Sequence, residues 1–197
     1  MQEFYTLIDK YNSVPSTDIP LIEKEIWDKY GVLKTVLCLD MSGFSLLVQR
    51  HGIIHYLSMI RRMQQTTAPI VKQFQGQVVK YEADNLYAVF DDPALAVQAA
   101  TSINIALNAM NILTDDSRDL YASMGLAHGK IILIPDQDMF GDAVNIASKM
   151  GEDLAERSEI LVTKEVYEAA KDNHALKFEE VDLNISGIKL KVFKVIY

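Results

Sequence analysis

The sequence predicts a mixed α/β sandwich with a β-α-β-β-α-β core, on three observations. Residues 32–39 form a run too uniformly apolar for an edge strand, so it reads as a central one. Residues 46–74 repeat apolar positions at helical spacing, through Ile53, Leu57, Ile60, Thr67 and Val71. Residues 77–79 and 86–90, rich in Val, Leu and aromatics and joined by turn-prone residues, read as a β-hairpin.

Two segments are expected: a helical N-terminal extension, 1–31, and one domain, 32–197. In the extension, 3–11 suits a short helix and 13–18 a loop. Pro20 then opens a second helix, 21–30, from the favoured first turn. Its Ile22, Ile26 and Trp27 share a face that can dock on the domain or on a second chain, and Gly31 stops it. Pro69 is expected to kink or split the helical stretch 46–74. Gly76 opens the hairpin; Asp91-Asp92-Pro93 ends it and starts an alanine-rich helix, 94–110, before a polar loop at 111–119. Residues 120–127 and 130–134 read as two strands around His128-Gly129, 135–138 as a turn and 141–150 as a helix. A strand at 159–162, a helix at 164–170 capped by Thr163, and strands near 176–181 and 190–196 around Ser186-Gly187 complete the chain. This order, with added C-terminal elements, is related to the ferredoxin-like plan.

Bulk composition narrows the function classes. A chain of 197 residues suffices for one full core plus a short extension. Apolar content of 49% and charged content of 23% are those of a globular protein. A net charge of -8 argues against nonspecific nucleic-acid or anionic-membrane binding. The single cysteine, Cys38, lies in the apolar strand, which excludes an intrachain disulfide and fits a reducing compartment. The opening residues lack the basic and apolar regions of a signal peptide, and no apolar run reaches about 18 residues. A cytoplasmic protein without a membrane span is expected.

Two acidic turns carry the candidate chemistry. Lys80-Tyr81-Glu82-Ala83-Asp84-Asn85 places a lysine, a glutamate and an aspartate at the hairpin tip, where they lose solvation and gain no packing. Leu39-Asp40-Met41-Ser42-Gly43-Phe44 ends the central strand in an aspartate and a glycine-containing loop before a helix. Either alone reads equally well as a helix cap or a solvated turn. Together, two aspartates at strand edges beside a helix start are the parts for holding a divalent metal and a polyphosphate. His51 and His55 stand one helical turn apart, but no third ligand is near, so no metal is expected there. Arg50, Arg61 and Arg62 read as a solvated face, and Asp142 as a charge favoured by its helix N-terminus. Glu82 stays open between a solvated turn and a partner for Lys80.

These motifs resemble, in order and spacing, the catalytic domain of the class III nucleotidyl cyclases over residues 32–197. Leu39–Ser45 looks like the family's first metal-aspartate motif, and Lys80–Asp84 like its lysine-to-second-aspartate hairpin. Asp138-Met139-Phe140-Gly141-Asp142-Ala143-Val144-Asn145-Ile146-Ala147-Ser148-Lys149 looks like its base-recognition and transition-state segment. The resemblance implies that Asp40 and Asp84, with the Met41 carbonyl, bind two divalent cations, Mg²⁺ or Mn²⁺. It implies that Lys80 and Asp138 read the purine, Asn145 orients the ribose and Lys149 stabilises developing negative charge. Ser42, Gly43, Phe44 and Lys189 are assigned to substrate binding. A lysine donor beside a carboxylate acceptor matches adenine, so ATP is the expected substrate. The implied assembly is a homodimer with head-to-tail shared active sites, in which residues 130–140 resemble the arm that reaches over the partner.

Three departures bear on rate. Lys149 stands where the family usually has arginine, and loses its planar two-donor fork. Ala83 replaces the usual glycine before the second aspartate, and Ser186 stands where a phosphate-binding lysine is common. An active adenylate cyclase is therefore weighed against a nucleotide-binding regulatory domain with little or no turnover, and against a cyclase for GTP or UTP.

Overall fold

In the computed structural model, residues 1–42, 50–185 and 188–197 are described. The elements run α1 (Gln2–Ser13), α2 (Ile19–Tyr30), β1 (Gly31–Met41), α3 (Ile53–Gln73), β2 (Gln77–Glu82), β3 (Asn85–Phe90), α4 (Pro93–Asn111), β4 (Ala122–Ile134) and β5 (Asp138–Phe140). They continue with α5 (Asp142–Lys149), a π-helical turn (Met150–Leu154), β6 (Ile160–Thr163), α6 (Lys164–Ala170), β7 (Lys177–Ile185) and β8 (Ile188–Ile196).

Among the described residues the strands form one eight-stranded sheet in the order β2-β3-β1-β4-β6-β8-β7, with β5 paired to β4. β1 lies between β3 and β4, antiparallel to both, so the first four strands follow the expected β-α-β-β-α-β plan. β6 adds parallel to β4, and the β7–β8 hairpin extends the sheet.

β1 is central because both its faces are buried. Leu37, Leu39 and Met41 point into a core with Met59, Met63, Ala100 and Ile103 from α3 and α4. Val36 and Cys38 point the other way, among Ala143, Ala147 and Met150. The two-residue period of the strand thus sorts one run of apolar residues between two layers.

The extension is two helices, as expected, and it docks on its own domain. Phe4 and Leu7 of α1 and Ile22 and Ile26 of α2 pack with Ile132 and Ile134 of β4. The Phe4 ring also stacks on Phe140 of β5, with centroids 5.8 Å apart. Among the described residues no helix is long and apolar enough to cross a membrane.

Three local expectations change. β4 is one strand of 13 residues, because His128 and Gly129 stay in register opposite Thr35 and Lys34 and make no turn. α3 passes through Pro69 without splitting. Pro69 and Gln65 both lie on its exposed side, where water can take the carbonyl that proline leaves without a donor. Thr163 occupies the N-cap of α6 but makes no capping bond, and its hydroxyl is buried without a partner.

Two glycines bring α5 and the turn after it onto the sheet. A Cβ on Gly125 would stand 2.1 Å from the Ala147 carbonyl oxygen, and one on Gly151 2.8 Å from that of Cys38. Gly125→Ala is therefore expected to cost about 2–3 kcal/mol in urea unfolding, since the obstructing atom is backbone and cannot rotate away. A loss below about 0.5 kcal/mol would show that α5 can lift off β4.

Candidate active site

The two candidate metal aspartates meet at one end of the sheet. Asp40 sits near the end of β1, one residue past the Leu39↔Leu86 pair, and Asp84 lies two residues before Leu86 in the β2–β3 turn. Asp40 has its carboxyl pushed up to about 7, first by burial and then by the negative charges of Asp84, Glu152 and Asp153. A backbone hydrogen bond at Met41 acts in the opposite direction. The Tyr56 hydroxyl on α3 is raised by burial and by Asp84, so the first turns of α3 face the same charge.

The turn holding Asp84 is strained in a way that bears on the missing glycine. Ala83 has φ +52°, at the first of two turn residues, where hairpins favour glycine. An L-residue there costs about 1 kcal/mol. Asn85 follows; its Nδ2 donates to Glu152 Oε1 at 3.1 Å, while its Oδ1 is buried without a partner.

Lys80 and Asp138 are brought together by the fold. Lys80 Nζ lies 3.0 Å from Asp138 Oδ1 and 2.9 Å from Glu82 Oε2, and 5.0 Å over the Tyr87 ring. Glu82, the last residue of β2, is thus a partner of Lys80. Burial alone would lower the Lys80 pKa, but hydrogen bonds and charge from Glu82 and Asp138 outweigh it and raise the value, so Lys80 stays a cation. Asp138 opens β5 opposite Ile134, and its Oδ1 also accepts from the Met139 N–H at 2.9 Å.

Asn145 and Lys149 lie one turn apart on α5, which begins after Gly141 at φ +143°, a backbone state open to glycine. Asn145 is exposed, and Lys149 Nζ pairs with Asp153 Oδ2 at 3.0 Å. Among the described residues, no hydrogen bond or ion pair joins either side chain to Asp40, Asp84, Lys80 or Asp138. Ser42 donates its N–H to the Tyr121 carbonyl at 2.8 Å. Gly43 and Phe44 lie outside the described residues. Lys189 pairs by its backbone with Asn184, and its side chain also lies outside the described residues.

Sequence reasoning missed Glu152, Asn85 and Tyr87. Tyr87 donates its hydroxyl to Glu152 Oε1 at 2.9 Å, and Cys38 Sγ lies 3.7 Å from the same oxygen. Burial pushes the Cys38 thiol up to about 12, which makes it an inert packing residue. The only signal in the chain was the acidic pair Glu152-Asp153 one turn beyond Ser148 and Lys149.

The residues at the sheet end fit a hard divalent cation. The donors are oxygens, burial and then neighbouring negative charge raise Asp40, and Asn85 Oδ1 is an orphaned acceptor next to Asp84. Among the described residues no three His, Cys, Asp or Glu come together as a metal cluster. The His51 and His55 rings lie tilted to each other with centroids 4.9 Å apart, but His55 Nε2 bonds the Ser117 carbonyl at 2.7 Å and serves to hold that loop.

The raised Asp40 has a stability consequence. Without metal, ionising it costs the folded state more than the unfolded one, so stability falls as pH rises from 3.8 through about 7. Asp40→Asn is expected to raise the melting temperature of the metal-free protein by a few degrees near pH 8, about 1 kcal/mol in a domain of this size. The gain should vanish near pH 4. An unchanged or lower melting temperature near pH 8 would show that the charge is under no stress.

Comparison with known proteins places this geometry. A family model described as "Adenylate and Guanylate cyclase catalytic domain" matches residues 32–196. The chain is 28% identical over 136 residues to the Rhizobium meliloti (strain 1021) protein named "Putative adenylate cyclase 3", covering 69% of this chain and 23% of that protein. This chain thus spans about a quarter of that relative. An adenylate/guanylate cyclase/hydrolase structure from Silicibacter pomeroyi is similar at TM-score 0.71 and 26% identity, over 85% of this chain and 98% of that one. The adenylyl cyclase CyaB from P. aeruginosa shares the fold at TM-score 0.72 and 19% identity, over 85% and 96%. The guanylate cyclase domain of RhGC from Catenaria anguillulae, solved with GTP, shares it at TM-score 0.72 and 18% identity, over 85% and 96%. The chain belongs to the class III adenylate and guanylate cyclase catalytic-domain family.

Proposed function

We propose that the chain is an adenylate cyclase, converting ATP to 3′,5′-cyclic AMP and pyrophosphate. The observation that carries the substrate choice is the Lys80–Asp138 pair at 3.0 Å. A cationic donor and a carboxylate acceptor held side by side match N1 and the exocyclic amine of adenine; guanine presents the opposite pattern at those edges. The cation–carboxylate contact also keeps both groups aimed while no base is bound.

Asp40, Asp84 and the Met41 carbonyl would hold two cations, Mg²⁺ or Mn²⁺. When bound, these activate the ribose 3′-hydroxyl, polarise the α-phosphoryl group and hold the leaving phosphates. Asn145 positions the ribose, and Lys149 offsets negative charge on the phosphoryl oxygens. Ser42, Gly43, Phe44 and Lys189 are assigned to substrate binding, Lys189 to the terminal phosphates. The exposure of Asn145 supports a site completed by a second copy. In that arrangement two chains pair head to tail, one giving the aspartates and the other giving Lys80, Asp138, Asn145 and Lys149. A substrate and cations found in the cytoplasm, with a free buried thiol at Cys38, fit a cytoplasmic protein.

A second reading, a nucleotide-binding regulatory domain with little turnover, is favoured by one observation. Lys149 lacks the arginine fork and is already engaged by Asp153.

Cyclic product from ATP, GTP, UTP and CTP with Mn²⁺ and Mg²⁺ separates the readings. ATP should give cyclic AMP with the highest kcat/KM, and Lys80→Ala should lower that value about 10- to 100-fold, the worth of one charge-assisted hydrogen bond. Equal use of GTP contradicts the adenine assignment, and tight ATP binding without product from any nucleotide favours the regulatory domain.

A further inference from the structure

Beside the proposed metal aspartates stands a carboxylate that the cyclase reading leaves without a role. Glu152 lies in the π-helical turn after α5. Its Oε1 accepts from Tyr87 at 2.9 Å and from Asn85 at 3.1 Å, and Cys38 Sγ lies 3.7 Å away. Those residues come from β3, from the position after Asp84, and from β1 two residues before Asp40. Ser148 Oγ, on α5, approaches the Tyr87 hydroxyl at 3.5 Å. The arrangement depends on Gly151, whose missing Cβ lets the turn lie against the Cys38 carbonyl. Glu152 is also close enough to Asp40 for its charge to be felt there.

We propose that Glu152 is a positioning residue that fixes Asn85, and through it the Asp84 turn, at a set distance from Asp40. The inference rests on the reading of Asp40 and Asp84 as metal ligands. The physical need for such a brace is local. Asp84 follows an alanine held in the left-handed region, a turn that gains by relaxing. One oxygen taking two bonds from β3 ties that turn to α5, which the glycine contacts hold against β1 and β4. Glu152 itself is not counted as a ligand, because among the described residues no three acidic groups converge on one point.

The test is Mn²⁺ binding in the presence of 3′-deoxy-ATP, read by the electron paramagnetic resonance signal of free Mn²⁺, on the full chain. Glu152→Ala should weaken Mn²⁺ binding about tenfold, as loss of an outer partner of a metal ligand does. Glu152→Gln keeps an oxygen that can accept both bonds and should bind within about twofold of the parent. At saturating Mn²⁺ the Ala variant should recover most of its kcat. Binding by Glu152→Ala equal to the parent's overturns the proposal. So does a Gln variant as defective as Ala, since charge and not the hydrogen bonds would then be at work. Should Glu152→Ala fail to fold, Asn85→Ala cuts the same link from the other side, and unchanged Mn²⁺ binding there is equally fatal. A parent that binds no Mn²⁺ overturns the metal reading along with this one. A parent that binds Mn²⁺ but forms no cyclic product removes only the turnover claim and leaves the positioning test intact.

Discussion

Burial of Asp40 at one end of the sheet, with the negative charge of Asp84 beside it, is the constraint on which the site depends. Asp40 is held by β1, paired on both sides, and Asp84 by a two-residue turn one strand away. Neither carboxylate has a cationic partner among the described residues, and Glu152 and Asp153 add like charge. A packed core keeps the aspartates in place because its elements are bistable at most, never freely deformable. Divalent cations held there, as proposed, would turn that repulsion into a shared attraction.

The rest of the architecture serves that placement. β1 is buried on both faces along most of its length, which anchors the strand that carries Asp40. Gly125 and Gly151 allow α5 and the turn after it to come within backbone contact of β4 and β1, and that approach brings Glu152 onto Asn85 and Tyr87. On the far side of the hairpin, β5 hangs on the last residues of β4 and carries Asp138 to Lys80. The extension packs on this same region through Phe4, Phe140, Ile132 and Ile134. It therefore braces the arm bearing Asp138, on the chain's own domain.

Much of the fold was legible because burial and period agree. The 32–39 run has the composition of a strand covered on both faces, and it is one. Gly129 misled because a glycine signals a turn by type, while its backbone here stays paired to Lys34. Pro69 does not split its helix because an exposed proline in a long amphipathic helix can leave the freed carbonyl to water. The site was legible as motifs, and their order and spacing pointed to the family that the comparisons found. What no motif could carry was contact between distant segments. Glu152 reaches Asn85 only because a π-helical turn shifts it and Gly151 makes room, and neither follows from local pattern. The positive φ of Ala83 is similar: the residue type argues against it, and the hairpin geometry imposes it.

One chain carries both halves of the proposed site, yet among the described residues no hydrogen bond or ion pair joins the aspartates to Asn145 or Lys149. The claim that two chains share each site is therefore tested most directly by mixing two inactive variants, Asp40→Ala and Asn145→Ala, in equal amounts. Half of the resulting dimers would be mixed, each with one complete site of two, so cyclic-product formation should return to about a quarter of the parent's. A mixture no more active than either variant alone, with exchange of subunits verified, would contradict the shared site.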